Sequence, residues 1–189
     1  AMTTPGASCQ VALKEWATVL LAMERGEQLV LIRKGGLIEP GTGFEWIATR
    51  FVFYPTFEHQ AVTFLRQPFQ GYFEEATVRR AAEERVHIDL YGEVVDAVSS
   101  AEPTLVKRLE SFHIYNEAFL EQRLKWQPEQ PLALAVIRAF RLPAPQTIPL
   151  SDRYAGCKSW VELAHPLALD GARPVLEDAV FTERLQTLR

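Results

Sequence analysis

Gln28–Gly36 reads QLVLIRKGG, an apolar run that breaks off into two cations and two glycines. An unbroken apolar run of this length, rather than an alternating one, marks a strand covered on both faces. The following residues, LIEPGTG, add two more glycines and a proline, which is turn chemistry. Next comes FEWIATRFVFY at Phe44–Tyr54, dense in aromatic and β-branched residues, which reads as a second strand. Its alternation shifts near Arg50–Phe51, as a bulge or bend would cause. The apolar run therefore sets a sheet at the centre of the fold.

Outward from these strands, helices and further strands alternate without a regular βαβ rhythm. Leu13, Trp16, Ala17, Leu20 and Leu21 recur at helical spacing, so Val11–Arg25 is expected to be a helix stopped by Gly26. Pro55 is expected to end the second strand, with Thr56 capping a short helix through Leu65. Glu74–Glu84 reads as a helix supported by the Glu75–Arg79 pair, and Val86–Val98 as a strand broken at Gly92. Glu102–Phe112 starts with Pro103 at a first-turn position. Glu117–Trp126 follows Asn116 as N-cap, with Tyr115 and Leu120 placed for a hydrophobic staple. Leu132–Phe140 is the clearest strand, trailing into an edge or loop at Pro143, Pro145 and Pro149; Ser159–Ala164 is a short strand and Leu176–Leu188 a helix. The pattern predicts an α+β fold, a bent or partly closed mixed sheet flanked by helices.

The 189 residues suit one domain over 11–189 behind a loose tail at 1–10. An apolar fraction of 48% with 23% charged residues suits a globule and argues against disorder. The net charge of -4 excludes a simple polycation but leaves room for a local basic cleft. Neither a secretory signal pattern nor a run of the roughly 20 apolar residues a membrane span needs is present, so a cytoplasmic protein is expected. Cys9 and Cys157 make no disulfide framework, and the four histidines show no metal-ligand spacing. No metal is assigned, and no motif names a cofactor.

Four stretches carry candidate chemistry. Arg33-Lys34-Gly35-Gly36 offers two cations beside backbone that an anion can approach closely; the alternative is a solvated hairpin end. Tyr54–Gln60 places Thr56, His59 and Gln60 at an expected helix start, where a neutral imidazole and amides can meet a phosphate or a base edge; the alternative is that Thr56 only caps and His59 is satisfied locally. His113 and Arg123, with Lys125 and Trp126, combine cation and aromatic as single-strand binding requires, although Trp126 can equally anchor a core. Tyr154–Trp160, YAGCKSW, sets Cys157 beside Lys158, where a thiol can become a nucleophile or simply fill a turn. His87 and Asp89 share a strand face and could supply two metal ligands, and Glu39 and Glu45 lie beyond Lys34.

The pieces ALKEW (12–16), LIRKGG (31–36), FYPTFEHQ (53–60), RLKWQP (123–128), PLALAVIRAFRLP (131–143) and YAGCKSWVEL (154–163) together resemble the bacterial family catalogued as domain of unknown function 1802. The resemblance spans roughly residues 11–165. It implies an intact bacterial domain and transfers no activity. Its polar motif positions are Arg33, Lys34, Glu58, His59, Gln60, His113, Arg123, Tyr154 and Cys157. The strand order and basic turn also look like PUA-related RNA-binding pseudobarrels, at the level of architecture only.

The preferred expectation is a nucleic-acid- or nucleotide-binding module. Arg33, Lys34, Gly35, Gly36, His59, Gln60, Arg123 and Tyr154 would gather around one basic cleft. The rivals are a phosphoesterase or nuclease using His59 or His113 as general base, and an adaptor that meets an acidic protein partner.

Overall fold

A computed structural model describes residues 5–34, 44–82 and 84–188. Its frame is a mixed sheet of seven strands that does not close on itself. In chain order these are β1 (Ser8–Trp16), β2 (Val30–Arg33), β3 (Arg50–Thr56), β4 (Arg85–Ser100), β5 (Leu132–Pro149), β6 (Trp160–Ala168) and β7 (Arg173–Pro174). The spatial order is β2-β5-β4-β3-β1-β6, with β7 on β5. The helices are α1 (Ala17–Glu24), α2 (Gln70–Val78), α3 (Pro103–Arg108), α4 (Glu117–Lys125) and α5 (Asp178–Gln186). The fold is α+β, as expected, with an open rather than a partly closed sheet.

Among the described residues, β1 and β3 are the one parallel pair, in register from Ala12–Val52 to Trp16–Thr56. The other ladders are antiparallel. The long β4–β5 ribbon is interrupted by irregularities between Ile88 and Leu90 and between Val94 and Asp96. Such bulges add twist and let a long ribbon bend around a core. One apolar core, with Leu13, Phe51, Phe53, Leu90 and Ile137, lies on the face that also packs α1, α3 and α4. A second, with Ala12, Val52, Tyr54, Ile88 and Leu163, lies on the other face.

Several local expectations are corrected. The helix expected over Val11–Arg25 is a strand as far as Trp16, and that strand begins at Ser8, inside the segment read as a tail. Leu13 and Trp16 are buried in either conformation, so periodicity could not separate them; pairing with β3 and β6 on both edges decides for the strand. Residues 44–49 lie outside β3, and β3 runs through Pro55 instead of stopping there. Pro55 is tolerated because β4 pairs only with Arg50–Val52, which leaves that edge of β3 open beyond Val52. Thr56 starts no α-helix; only a single 3-10 turn forms, at Val62–Phe64. α2 begins and ends earlier than the expected Glu74–Glu84. At α4, Phe119 stacks its ring on Tyr115 at 3.9 Å, and Leu120 packs against the same core.

Gly92 does not break β4. A Cβ there would lie 2.8 Å from both Ile137 Cγ2 and Phe53 Cε2. Both neighbours are buried, so neither can swing aside. Gly92→Ala is expected to cost about 2 kcal/mol through overpacking. Urea unfolding of the variant checks this, and an unchanged midpoint would refute it.

Candidate functional site

A groove of about 1710 Å³ runs around the C-terminal ends of the parallel strands β1 and β3. That exceeds the roughly 300–1,000 Å³ of a small-molecule pocket, so the space suits an extended ligand. The pieces ALKEW, LIRKGG, FYPTFEHQ, RLKWQP and YAGCKSW all contribute lining residues; PLALAVIRAFRLP, which builds β5, contributes none. Successive strand residues face opposite ways, so Glu15 and Lys14 give the groove one half on each side of the sheet.

On the α4 side, Glu15 is buried, and its Oε1 accepts the Trp16 amide at 2.9 Å. Arg33 donates from Nη1 to Glu15 Oε2 at 3.1 Å and to the Lys14 carbonyl at 2.8 Å, with its guanidinium over the Phe44 ring. Lys34 is buried, and its ammonium donates to the carbonyls of Arg123, at 2.7 Å, and Leu124. It therefore caps the C-terminal end of α4, where a cation meets unpaired carbonyls and the helix dipole. Desolvation pulls the Lys34 ammonium below its ordinary range. The two cations that the sequence offered as an anion cradle thus already have protein partners, a buried ion pair and a helix cap.

Arg123 is different. Its guanidinium lies over the Phe119 ring, 5.0 Å from the centroid, and among the described residues it has no carboxylate partner. Desolvation holds it below the usual arginine value; the Tyr115 phenol opposes this, and Arg33 adds to it. Trp126 is half-buried on the groove wall and belongs to none of the core clusters. It is an available aromatic surface, not the core anchor that was the other reading.

On the opposite side, the Lys14 ammonium donates to the Gly156 carbonyl at 3.1 Å and sits 5.8 Å from the Tyr54 ring centroid. The Lys14 amide also donates to the Ser159 carbonyl, which clamps the 156–159 loop against β1. Tyr154 packs its ring 5.6 Å from that of Tyr54, and its hydroxyl accepts the Ala164 amide at 2.8 Å. Cys157 is exposed in this loop, and Lys158 donates to the Arg153 carbonyl at 3.3 Å. Burial raises the Tyr54 phenol, which therefore stays protonated.

The remaining candidates separate. His59 and Glu58 lie on an exposed bend at the groove, and His59 adopts φ 64, a left-handed conformation uncommon for a side chain without special cause. Gln60 does not line the groove; its Oε1 accepts both the amide and the hydroxyl of Thr18, at 3.1 and 2.9 Å, and so caps α1. His113 is fully buried away from the groove, with Nδ1 accepting the Tyr115 amide. Burial, then the Arg66 charge, push its imidazole down to about 4, while the Val106 carbonyl pulls upward. It cannot reach a substrate in the groove. His87 and Asp89 line the far end, where His87 Nδ1 meets Thr147 Oγ1 at 2.8 Å. Among the described residues no group of three or more His, Cys, Asp or Glu is placed to hold a metal, and no helix is long and apolar enough to cross a membrane. Gly35, Gly36 and Glu39 fall outside the described residues.

The described lining holds eight Lys or Arg against six Asp or Glu, a local excess of positive charge in a chain of net -4. Desolvation, then Glu24, push the Asp89 carboxyl above the ordinary range, which trims the negative side further. Lys14, Glu15 and Tyr115 were not singled out as site residues from the sequence, and Lys158 entered only as the neighbour of Cys157. Lys14 and Glu15 became visible only when the expected helix proved to be β1.

No curated protein and no solved structure matches the chain. A family model described as Domain of unknown function (DUF1802) matches residues 12–187, nearly the whole length, and the chain belongs to that family.

Proposed function

We propose that the groove binds a single nucleic-acid strand or a nucleotide. The observation that carries this reading is the meeting of five separated sequence pieces in one groove, four of them bringing cations. In it, Lys14, Lys158 and Arg123 hold phosphates, and Trp126 offers a face for a base. Arg33 and Lys34 position the frame rather than touch the ligand, because their donors already serve Glu15 and the end of α4.

Fluorescence anisotropy with a labelled single-stranded oligonucleotide tests the proposal. Affinity is expected to fall steeply with salt, in proportion to the phosphates neutralised. Arg123→Ala and Trp126→Ala are each expected to weaken binding about tenfold. Lys107→Ala, exposed and outside the groove, should change little. No binding at low salt, or equal affinity in the Arg123→Ala variant, would overturn the reading.

A second reading rests on the left-handed backbone of His59 beside Glu58, since such conformations gather at reactive sites. In it His59, not the buried His113, acts as general base on a phosphoester bound by the same cations. Cleavage of a labelled strand in Mg²⁺ or Mn²⁺ that is lost in His59→Ala would support it, and no turnover in either metal would end it.

A further inference from the structure

We infer that Lys14, Lys158, the Tyr54 hydroxyl and the 156–159 loop form a discrete subsite for a phosphate group. This deepens the groove reading and rests on it for the class of ligand, but it moves the anchoring point to the opposite side from Arg33 and Lys34.

The geometry begins with the loop. The Lys14 amide holds the Ser159 carbonyl at 2.8 Å, and the Lys14 ammonium holds the Gly156 carbonyl at 3.1 Å. Lys158 lies between those two anchors, and its charge reaches the Lys14 ammonium. An ammonium has three donors, and each of these two has one carbonyl partner among the described residues. Neither forms an ion pair there. Arg25, Arg33, Arg50, Arg79 and Arg138 all do. Two neighbouring ammonium groups with donors to spare repel one another until an anion sits between them. The repulsion is felt: desolvation is the main cause holding Lys14 below its ordinary range, and the Lys158 charge adds to it while Glu58 opposes both.

The surroundings fit a compact oxyanion. Gly156 adopts φ +92, and a Cβ built there would meet nothing within 4 Å, so the space in front of the loop is open. Tyr54 stays protonated and is a donor, not a competing anion. The aromatic pair Tyr54–Tyr154 lowers the dielectric behind the two cations, which strengthens their pull on an anion. Glu58 stands as the rim carboxylate that limits affinity.

Inorganic pyrophosphate is the probe. The full chain is exposed to limiting acetic anhydride with and without pyrophosphate, and acylation of each lysine is read by mass spectrometry. Pyrophosphate is expected to slow Lys14 and Lys158 about tenfold and to leave Lys107 and Lys125, both exposed and outside the groove, unchanged. By calorimetry, Lys158→Met should weaken pyrophosphate binding about tenfold. Glu58→Gln should strengthen it about threefold, and Lys107→Ala should leave it unaltered. Unprotected Lys14, equal protection of every lysine, or native affinity in Lys158→Met would overturn the subsite. The protection experiment uses the unaltered chain and so decides the matter even if a variant does not fold. Pyrophosphate protection without oligonucleotide binding would uphold the subsite and end the strand reading. Oligonucleotide binding that leaves Lys14 and Lys158 reactive would do the reverse.

Discussion

Glu15→Ala is expected to destabilise the protein by about 3 kcal/mol, because it strands the Arg33 guanidinium without its carboxylate. The two side chains retain only 16% and 5% of their exposure, so water cannot replace the lost partner. The same change leaves the Trp16 amide without its acceptor at the start of α1. For a chain of this length the loss corresponds to a drop in melting temperature of roughly 10 °C. Glu15→Gln keeps an acceptor for Trp16 and should lose less. Freed from its carboxylate, Arg33 should also draw an anionic ligand more tightly, so the variant is expected to be less stable and a better oligonucleotide binder. Thermal unfolding and anisotropy on one preparation check both signs. Unchanged stability would show that the pair is not buried in solution.

Acidification is expected to remove about 3 kcal/mol of stability through His113 alone. Its imidazole is held at about 4 in the folded chain, against about 6.5 when exposed. Between these values the unfolded chain takes up a proton that the native chain refuses, so stability falls as pH drops from 6.5 to 4 and this contribution is constant below 4. Burial is the chief cause, and Arg66 reinforces it. Urea unfolding across that window measures the slope. An NMR titration showing His113 ionising near 6.5 in the native protein would refute the claim without any substitution.

The strands made of β-branched and aromatic runs were legible in the sequence because burial on two faces leaves an unbroken apolar stretch. β2 and the first half of β5 follow that rule, whereas β4, exposed over its second half, was legible from its β-branched residues. Asn116 and Pro103 likewise announced α4 and α3 through their own side chains and needed no distant partner. β1 was illegible for the opposite reason. Its residues fit a helix as well as a strand, and the choice is made by β3 and β6, which lie far along the chain. The same error hid half the site, since a helix over Val11–Arg25 gives no cause to set Lys14 against Tyr54. Arg123, His59 and Tyr154, singled out by residue type, line the groove. Residue type could not reveal that Gln60 caps α1 or that Lys34 caps α4, because both bonds join residues distant in sequence.

β1 owes its outer edge to β6, a partner encoded near the opposite end of the polypeptide. On the ribosome it emerges well before β6 and must wait, with Cys9 and Ala12 uncovered, until Trp160–Ala168 has left the exit tunnel. A nascent chain in that state carries an open strand edge, the feature that chaperones shield and that seeds misassembly. Slow translation of the middle third should therefore lower the yield of native protein more than slow translation of the last helix.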